Sequence, residues 1–289
     1  MNGLPVVSGS ELDTFLRCRM LHTYQFGLHL EPRGKSRALE IGTAGHALLM
    51  PYYRALASGS SHAEAMGQAE ALASWQAISA GVRPDLMDFA LWLVRIYWAA
   101  YPFDTKDWRI VEVEQTYRVE LDGYVYAATI DLLVEDSEGL RIVDHRFLGR
   151  FYEEEMAAID PQLPRYVLAL QAAGRRVTGA TRNMVLTGAS SMRAAKRVSR
   201  LPVPIDGFRL ATALMERDRV AGELIAWRQI PLDVRRRIAP RTFYAPMCRQ
   251  CDFKVPCSLS ATGEDDSAIL DQHYVPSTYG YSEDDNALP

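Results

Sequence analysis

The sequence predicts an α/β fold with a mainly helical N-terminal part. Apolar residues recur with a helical period between Glu40 and Ala100, and from Trp108 the pattern switches to strand alternation that lasts to Phe147. A helix opened by Asp160-Pro161, two further extended stretches and a long helix then follow. Strands interleaved with helices, each able to bury an apolar face on the other, are the pattern of an α/β domain.

Taken in order, Ser10 is a good N-cap with Asp13 three residues on, and Leu12, Phe15 and Leu16 mark the apolar face of a first helix that leads to Cys18. Glu40 to Ser58 is a second helix. It carries His46 after the small-residue run Gly42-Thr43-Ala44-Gly45. His62 to Ala80 and Pro84 to Ala100 complete the helical part. The latter is apolar nearly all round (Phe89, Trp92, Val94, Trp98), which predicts burial. Ile110 to Leu121 and Tyr124 to Glu135 form a hairpin on the Asp122-Gly123 turn. Asp160 caps the next helix and Pro161 takes its first position, where a missing N–H costs nothing. Arg182 to Thr187 and Val198 to Pro204 are further strands, and Asp206 to Gln229 is a long helix. Beyond Pro231 the chain is expected to be irregular and is Arg-rich around Arg235 to Arg241. The expected division is one domain over residues 1–257: a mainly helical 1–107, a core 108–230 and a cysteine-bearing 231–257. The acidic 258–289 is expected to lack fixed structure.

The chemistry concentrates between Ala128 and Arg150. Ile130 to Glu135, the turn Asp136 to Gly139, and Leu140 to Phe147 read as two strands and their connection. Alternate strand residues share a face, so Asp144 and Arg146 project together and His145 projects oppositely, with Asp131 across the hairpin. Two carboxylates and a cation at one place suit a divalent metal beside a phosphate. The same residues also fit a surface hairpin with a salt bridge.

Composition places the chain among ordinary soluble proteins, with 48% hydrophobic and 24% charged residues. Without an apolar run of membrane length, and with Met1 to Ser10 unlike a signal peptide, a cytoplasmic location and no membrane partner are expected. The net charge of −4 is unevenly spread: seven acidic residues and no Lys or Arg lie in 258–289, which leaves +3 on 1–257. A mildly basic body weakly favours a nucleic-acid partner. The four cysteines fall as Cys18 and then Cys248-x2-Cys251-x5-Cys257. Four thiolates can hold Zn2+ or an iron–sulfur cluster, and spacing alone does not choose.

These motifs, in this order, resemble the PD-(D/E)XK nuclease superfamily, in particular its RecB-like branch with an iron–sulfur cluster. The resemblance runs from Ser8 to Cys257, through Ser8-Gly-Ser-Glu-Leu-x2-Phe-x2-Cys18, Gly42-Thr-Ala-Gly-His46, Asp131, Asp144-His145-Arg146, Gln162-x3-Tyr166 and the closing cysteines. It implies a restriction-endonuclease-like core, a central mixed sheet flanked by helices, with a C-terminal four-cysteine region. Asp131 and Asp144 would bind catalytic Mg2+ or Mn2+, with the His145 carbonyl as a further ligand. His46 would be a ligand or border the site; read alone, a helix histidine bonded to a carbonyl is the favoured reading. Glu114 would be the acidic residue on the preceding strand, or else a surface carboxylate. Gln162 and Tyr166, four apart on one helix face, would contact DNA. Cys18, Cys248, Cys251 and Cys257 would carry a [4Fe-4S] cluster.

One residue departs from the pattern, since Arg146 stands where the family has lysine. A guanidinium can offset phosphate charge but is effectively never deprotonated and has a different reach. The implied function is a metal-dependent DNA exonuclease acting on single strands or DNA ends, in phage-type replication, recombination or repair and alongside the proteins of those processes. The alternatives are a catalytically weakened DNA-binding or scaffold subunit of the same family, and a zinc-stapled binding module unrelated to nucleases.

Overall fold

The computed structural model describes residues 3–79, 81–102, 108–151, 153–188 and 196–277. The chain divides into two compact units: Met1–Lys35 with Glu120–Ala127 and Leu214–Pro289, and Ser36–Val119 with Ala128–Ala213. One boundary between the units lies at Lys35/Ser36, and the others fall inside β3 (Arg109–Leu121), β4 (Tyr124–Asp136) and the long helix Gly207–Arg228.

In the second unit, helices α3 (Arg37–Ala57), α4 (His62–Ser79) and α5 (Pro84–Ala100) precede β3, β4 and β5 (Gly139–Leu148). Two short helices, α6 (Glu154–Ile159) and α7 (Gln162–Ala172), then cross to β6 (Val177–Leu186), which is followed by β7 (Val198–Val203). The sheet order is β3-β4-β5-β6-β7, with β4/β5 and β6/β7 antiparallel and β5/β6 parallel. This is the mixed sheet flanked by helices that the sequence implied. Leu132, Val134, Val143, Val185 and Val198 on the sheet pack in one buried cluster with Leu48, Tyr52, Tyr53, Leu93, Val94 and Tyr97 of α3 and α5. Asp144 and Arg182 alternate out of that cluster toward α7.

The helix starts follow capping chemistry. Ser36 accepts from Leu39 N at 3.3 Å, so α3 begins at Arg37, three residues before the expected Glu40. Pro161, not Asp160, is the N-cap of α7, which starts one residue later than expected; Asp160 lies just ahead of it and its Oδ1 accepts from Gln162 N at 2.9 Å. Helix α5 is not buried all round: Trp92 is exposed, with the Arg197 guanidinium 4.8 Å from its ring centroid. A cation can cover an aromatic face that no apolar partner reaches.

In the first unit, β1 (Val6–Ser8) pairs in parallel with Val125–Ala127 of β4. That pairing holds Ser8 extended. Ser8, not Ser10, therefore becomes the N-cap of α1 (Gly9–Arg17), accepting from Glu11 N at 3.2 Å. Helix α2 (Arg19–His22) continues into a π-helical turn over Thr23–Gly27, and β2 (Leu30–Pro32) follows. The region after Pro231 is not irregular. It forms α9 (Leu232–Ile238), α10 (Ala245–Arg249), α11 (Lys254–Thr262) and α12 (Ser267–His273) after α8 (Gly207–Arg228), and ends in β8 (Tyr274–Pro276), antiparallel to β2.

Residues 258–277 thus correct the expectation of a structureless tail. Tyr274 stacks on Phe253 at 4.7 Å between centroids, and the buried Asp266 accepts from Tyr24 Oη at 2.8 Å and pairs with Arg236. Acidic composition hid a few apolar and capping residues sufficient to order the segment. Residues 278–289 of that expected tail lie outside the described residues. Among the described residues no helix is long and apolar enough to cross a membrane.

Candidate metal centre

The site grows from the β4/β5 hairpin. Leu132 pairs with Val143, so the next residues outward, Asp131 and Asp144, meet at the same level of the sheet. Asp131 Oδ2 accepts the backbone N–H of His145 at 2.8 Å, which fixes its carboxylate against the neighbouring strand. Strand β3 brings Glu114. The Asp122-Gly123 turn and the Thr116–Thr129 hydroxyl contact of 2.9 Å put Glu114 opposite Asp131. Glu114 has φ +50°, a left-handed conformation rare outside glycine that costs about 1–3 kcal/mol. Such a kink turns its side chain out of the strand's regular alternation.

From the helical side, α3 supplies His46. Its Nδ1 lies 3.3 Å from Glu114 Oε1. The close approach depends on the residue before it: a Cβ on Gly45 would lie 2.0 Å from the Phe147 ring of β5. One imidazole nitrogen of His46 and one oxygen each from Glu114 and Asp131 all lie within 4.8 Å of one another. Two hard oxygens and an imidazole nitrogen form a donor set suited to a divalent cation.

The electrostatics agree with that fit. Burial, reinforced by the charges of Asp144 and Glu114, raises the Asp131 carboxyl well above the usual carboxylate range. Burial pushes His46 the other way, but the Glu114 hydrogen bond and the Asp131, Glu114 and Asp144 charges outweigh it and lift His46 to about 9. The pocket carries surplus negative charge, which a protonated imidazole offsets and a metal ion would offset more strongly.

Asp144 is held differently. It is 2% exposed, and its Oδ2 accepts from Arg146 Nε at 2.8 Å and from Arg182 Nη1 at 3.1 Å. Arg182, 0% exposed, also reaches Gln162 Oε1 at 3.0 Å and Asp160 Oδ2 at 2.8 Å. Gln162 Nε2 donates to Tyr166 Oη at 2.8 Å. The His145 ring points into the core, stacked on Tyr53 at 5.4 Å and bonded through Nδ1 to Asn183 at 2.8 Å. Burial and the nearby His46 and Arg200 hold its pKa well below the ordinary value.

His46, Glu114, Asp131, Asp144, Arg146, Gln162 and Tyr166, picked from the sequence, thus gather around one sheet edge, while the His145 side chain leaves it. The sequence reading missed Arg182 as a functional residue. Its signal was available: Arg182 is the one charged residue of the strand Val177–Leu186, and a buried charge demands a partner. In the first unit, Cys18, Cys248, Cys251 and Cys257 form no disulfide and are partly buried. Burial raises the Cys251 and Cys257 thiols, and the field of Cys18 adds to both. Among the described residues no three of their sulfurs lie within 4.8 Å of one another.

Solved structures offer distant likenesses. A protein of Eubacterium rectale described as a candidate exonuclease matches at 13% identity and a TM-score of 0.46, covering 74% of this chain and 79% of that chain. The structure of SSO0001 matches at 14% identity and a TM-score of 0.33, covering 62% of this chain and 72% of that chain. No curated protein matches the chain. A sequence profile of the PD-(D/E)XK nuclease superfamily matches residues 6–258, which spans the hairpin, the metal-donor set and the cysteines. The chain belongs to the PD-(D/E)XK nuclease superfamily.

Proposed function

We propose that the chain is a metal-dependent DNA exonuclease of the RecB-like branch, acting on single strands or DNA ends in phage-type replication, recombination or repair. The observation that carries this reading is the convergence of His46, Glu114 and Asp131 donors beside Asp144 and Arg146. His46, Glu114 and Asp131 would hold Mg2+ or Mn2+, with Asp144 and the His145 carbonyl completing the set. The ion would supply Lewis-acid stabilisation of charge at the phosphate and a more acidic water. Arg146 lies on the same strand face and can bind a phosphate oxygen, but it cannot accept a proton. Gln162 and Tyr166 would contact the DNA backbone. Cys18, Cys248, Cys251 and Cys257 would carry a [4Fe-4S] cluster joining the chain's two ends, and replication or recombination proteins would be its partners in the cytoplasm.

The test is Mn2+-dependent degradation of end-labelled DNA by the wild type and by Asp131→Ala and Asp144→Ala, with folding checked by circular dichroism. Loss of cleavage in both variants is expected; full activity in either would remove that carboxylate from the site. For the cluster, Cys18→Ala should lose iron and lower the melting temperature about as much as Cys251→Ala, because one centre needs all four thiolates. Unchanged iron content in Cys18→Ala would exclude that ligand set.

A second reading has its own support. Two guanidinium groups share Asp144 Oδ2, so a metal must compete with both for this oxygen. A chain that binds DNA tightly and cuts it poorly would be a DNA-binding or scaffold subunit of the same superfamily. The cleavage assay separates the two.

A further inference from the structure

Arg182, Gln162 and Tyr166 form a hydrogen-bonded series whose direction is set by chemistry. A guanidinium has donors only, so the Gln162 atom 3.0 Å from Arg182 Nη1 must be the carbonyl oxygen. The amide nitrogen is then turned toward Tyr166, and at 2.8 Å it donates to the hydroxyl oxygen. With its lone pair engaged, the Tyr166 hydroxyl has its proton left to give. That hydroxyl lies in the field of Asp131, Asp144 and Arg146, at the edge where the metal donors gather. Arg182 is itself fixed at the centre of the sheet. It is directly opposite Asp144 in the parallel β5/β6 pair and holds Asp160, whose Oδ1 accepts from Gln162 N at the start of α7.

We infer that Arg182 is a positioning residue that sets the polarity of the Gln162–Tyr166 pair, so that Tyr166 donates its hydroxyl proton to a phosphate oxygen of a bound DNA strand. This rests on the DNA-nuclease reading above and adds to it a direction for each hydrogen bond. The consequence is specific. Gln162→Glu keeps a partner for Arg182 but offers Tyr166 only an acceptor. The hydroxyl then turns its proton inward and presents lone pairs to the phosphate.

The experiment is fluorescence anisotropy with a labelled single-stranded oligonucleotide, Ca2+ replacing Mn2+ and strand integrity checked on a gel. Tyr166→Phe is expected to weaken binding about tenfold, as for a lost hydrogen bond to a charged acceptor. In the Gln162→Glu background the same Tyr166→Phe change should alter affinity less than about twofold, and this comparison cancels the added charge of the glutamate. In a folded Arg182→Lys background, where the fork is lost and the amide can turn, the Tyr166→Phe effect should fall below about threefold. Should that variant fail to fold, the Gln162→Glu cycle decides alone. A full tenfold effect in the Gln162→Glu background overturns the polarity. Wild-type binding that Tyr166→Phe leaves unchanged overturns the donor role alone. A wild type that binds no DNA overturns this inference together with the DNA reading.

Discussion

Arg182 stands directly across from Asp144 in the parallel β5/β6 pair and donates Nη1 to its Oδ2 at 3.1 Å, both side chains being almost wholly buried. The pair joins β6 to the middle strand β5, whose Asp144 lies across from Asp131 of β4. A buried ion pair is weak evidence of net stability, yet removing one partner strands the other charge.

Arg182→Met should accordingly cost about 3–5 kcal/mol of folding free energy, because Asp144 and Asp160 lose their common cation. Urea unfolding checks this. An unchanged midpoint would mean that both carboxylates take up protons at little cost.

Arg146→Lys should raise the cleavage rate at least roughly tenfold, about 1.4 kcal/mol of barrier. Arg146 Nε is engaged with the same Asp144 oxygen as Arg182. A lysine ammonium is a compact charge that can sit beside both a water and a phosphate oxygen. Initial rates at saturating Mn2+ decide. Equal and substantial rates would show that arginine is competent as it stands.

The metal centre should be pH-dependent in a defined direction. Without metal, His46 keeps its proton to about 9, whereas an unfolded histidine releases it near about 6.5. Its contribution to stability is complete below about 6.5 and is lost as pH rises through about 9. Metal must displace that proton, so Mn2+ affinity should rise between about pH 6 and about pH 8. Glu114→Gln should lower affinity about tenfold and flatten the rise, since the Glu114 hydrogen bond helps hold the proton. Calorimetric titration of Mn2+ measures both, and a pH-independent wild-type affinity would remove His46 from the site.

Gly45→Ala should destabilise the protein by about 1–3 kcal/mol and weaken Mn2+ binding. Its methyl group would overlap the Phe147 ring, and moving α3 away would carry His46 off Glu114. Gly42→Ala, with open space around the position, should do neither. Thermal melts of the two variants with and without Mn2+ provide the comparison. Equal melts would place the requirement elsewhere.

Truncation after Cys257 should lower the melting temperature, contrary to the expectation from composition. It removes the β8 partner of β2, the Tyr274 ring on Phe253, and Asp266 from Tyr24 and Arg236. A truncated chain that melts with the full-length protein would make these contacts dispensable.

The sequence by itself determined the β3–β5 hairpins and the long helices up to Arg228, but not the helices after Pro231. Period and turn residues place the hairpins and helices to within a few residues, because alternation, capping and the Asp122-Gly123 turn act between near neighbours. Asp131, Asp144 and Arg146 were legible on one hairpin for the same reason. Ser8 was chosen over Ser10 as a cap only by β1 pairing with β4, a contact more than a hundred residues distant in the chain. Glu114 meets His46 through a left-handed backbone that no local propensity favours. Arg182 acquired its role from strand register, which sets it beside Asp144 across 38 residues. Local pattern carries information about neighbours along the chain; which charges meet in the interior is decided by sheet order and register, and these exist only once the whole sheet has formed.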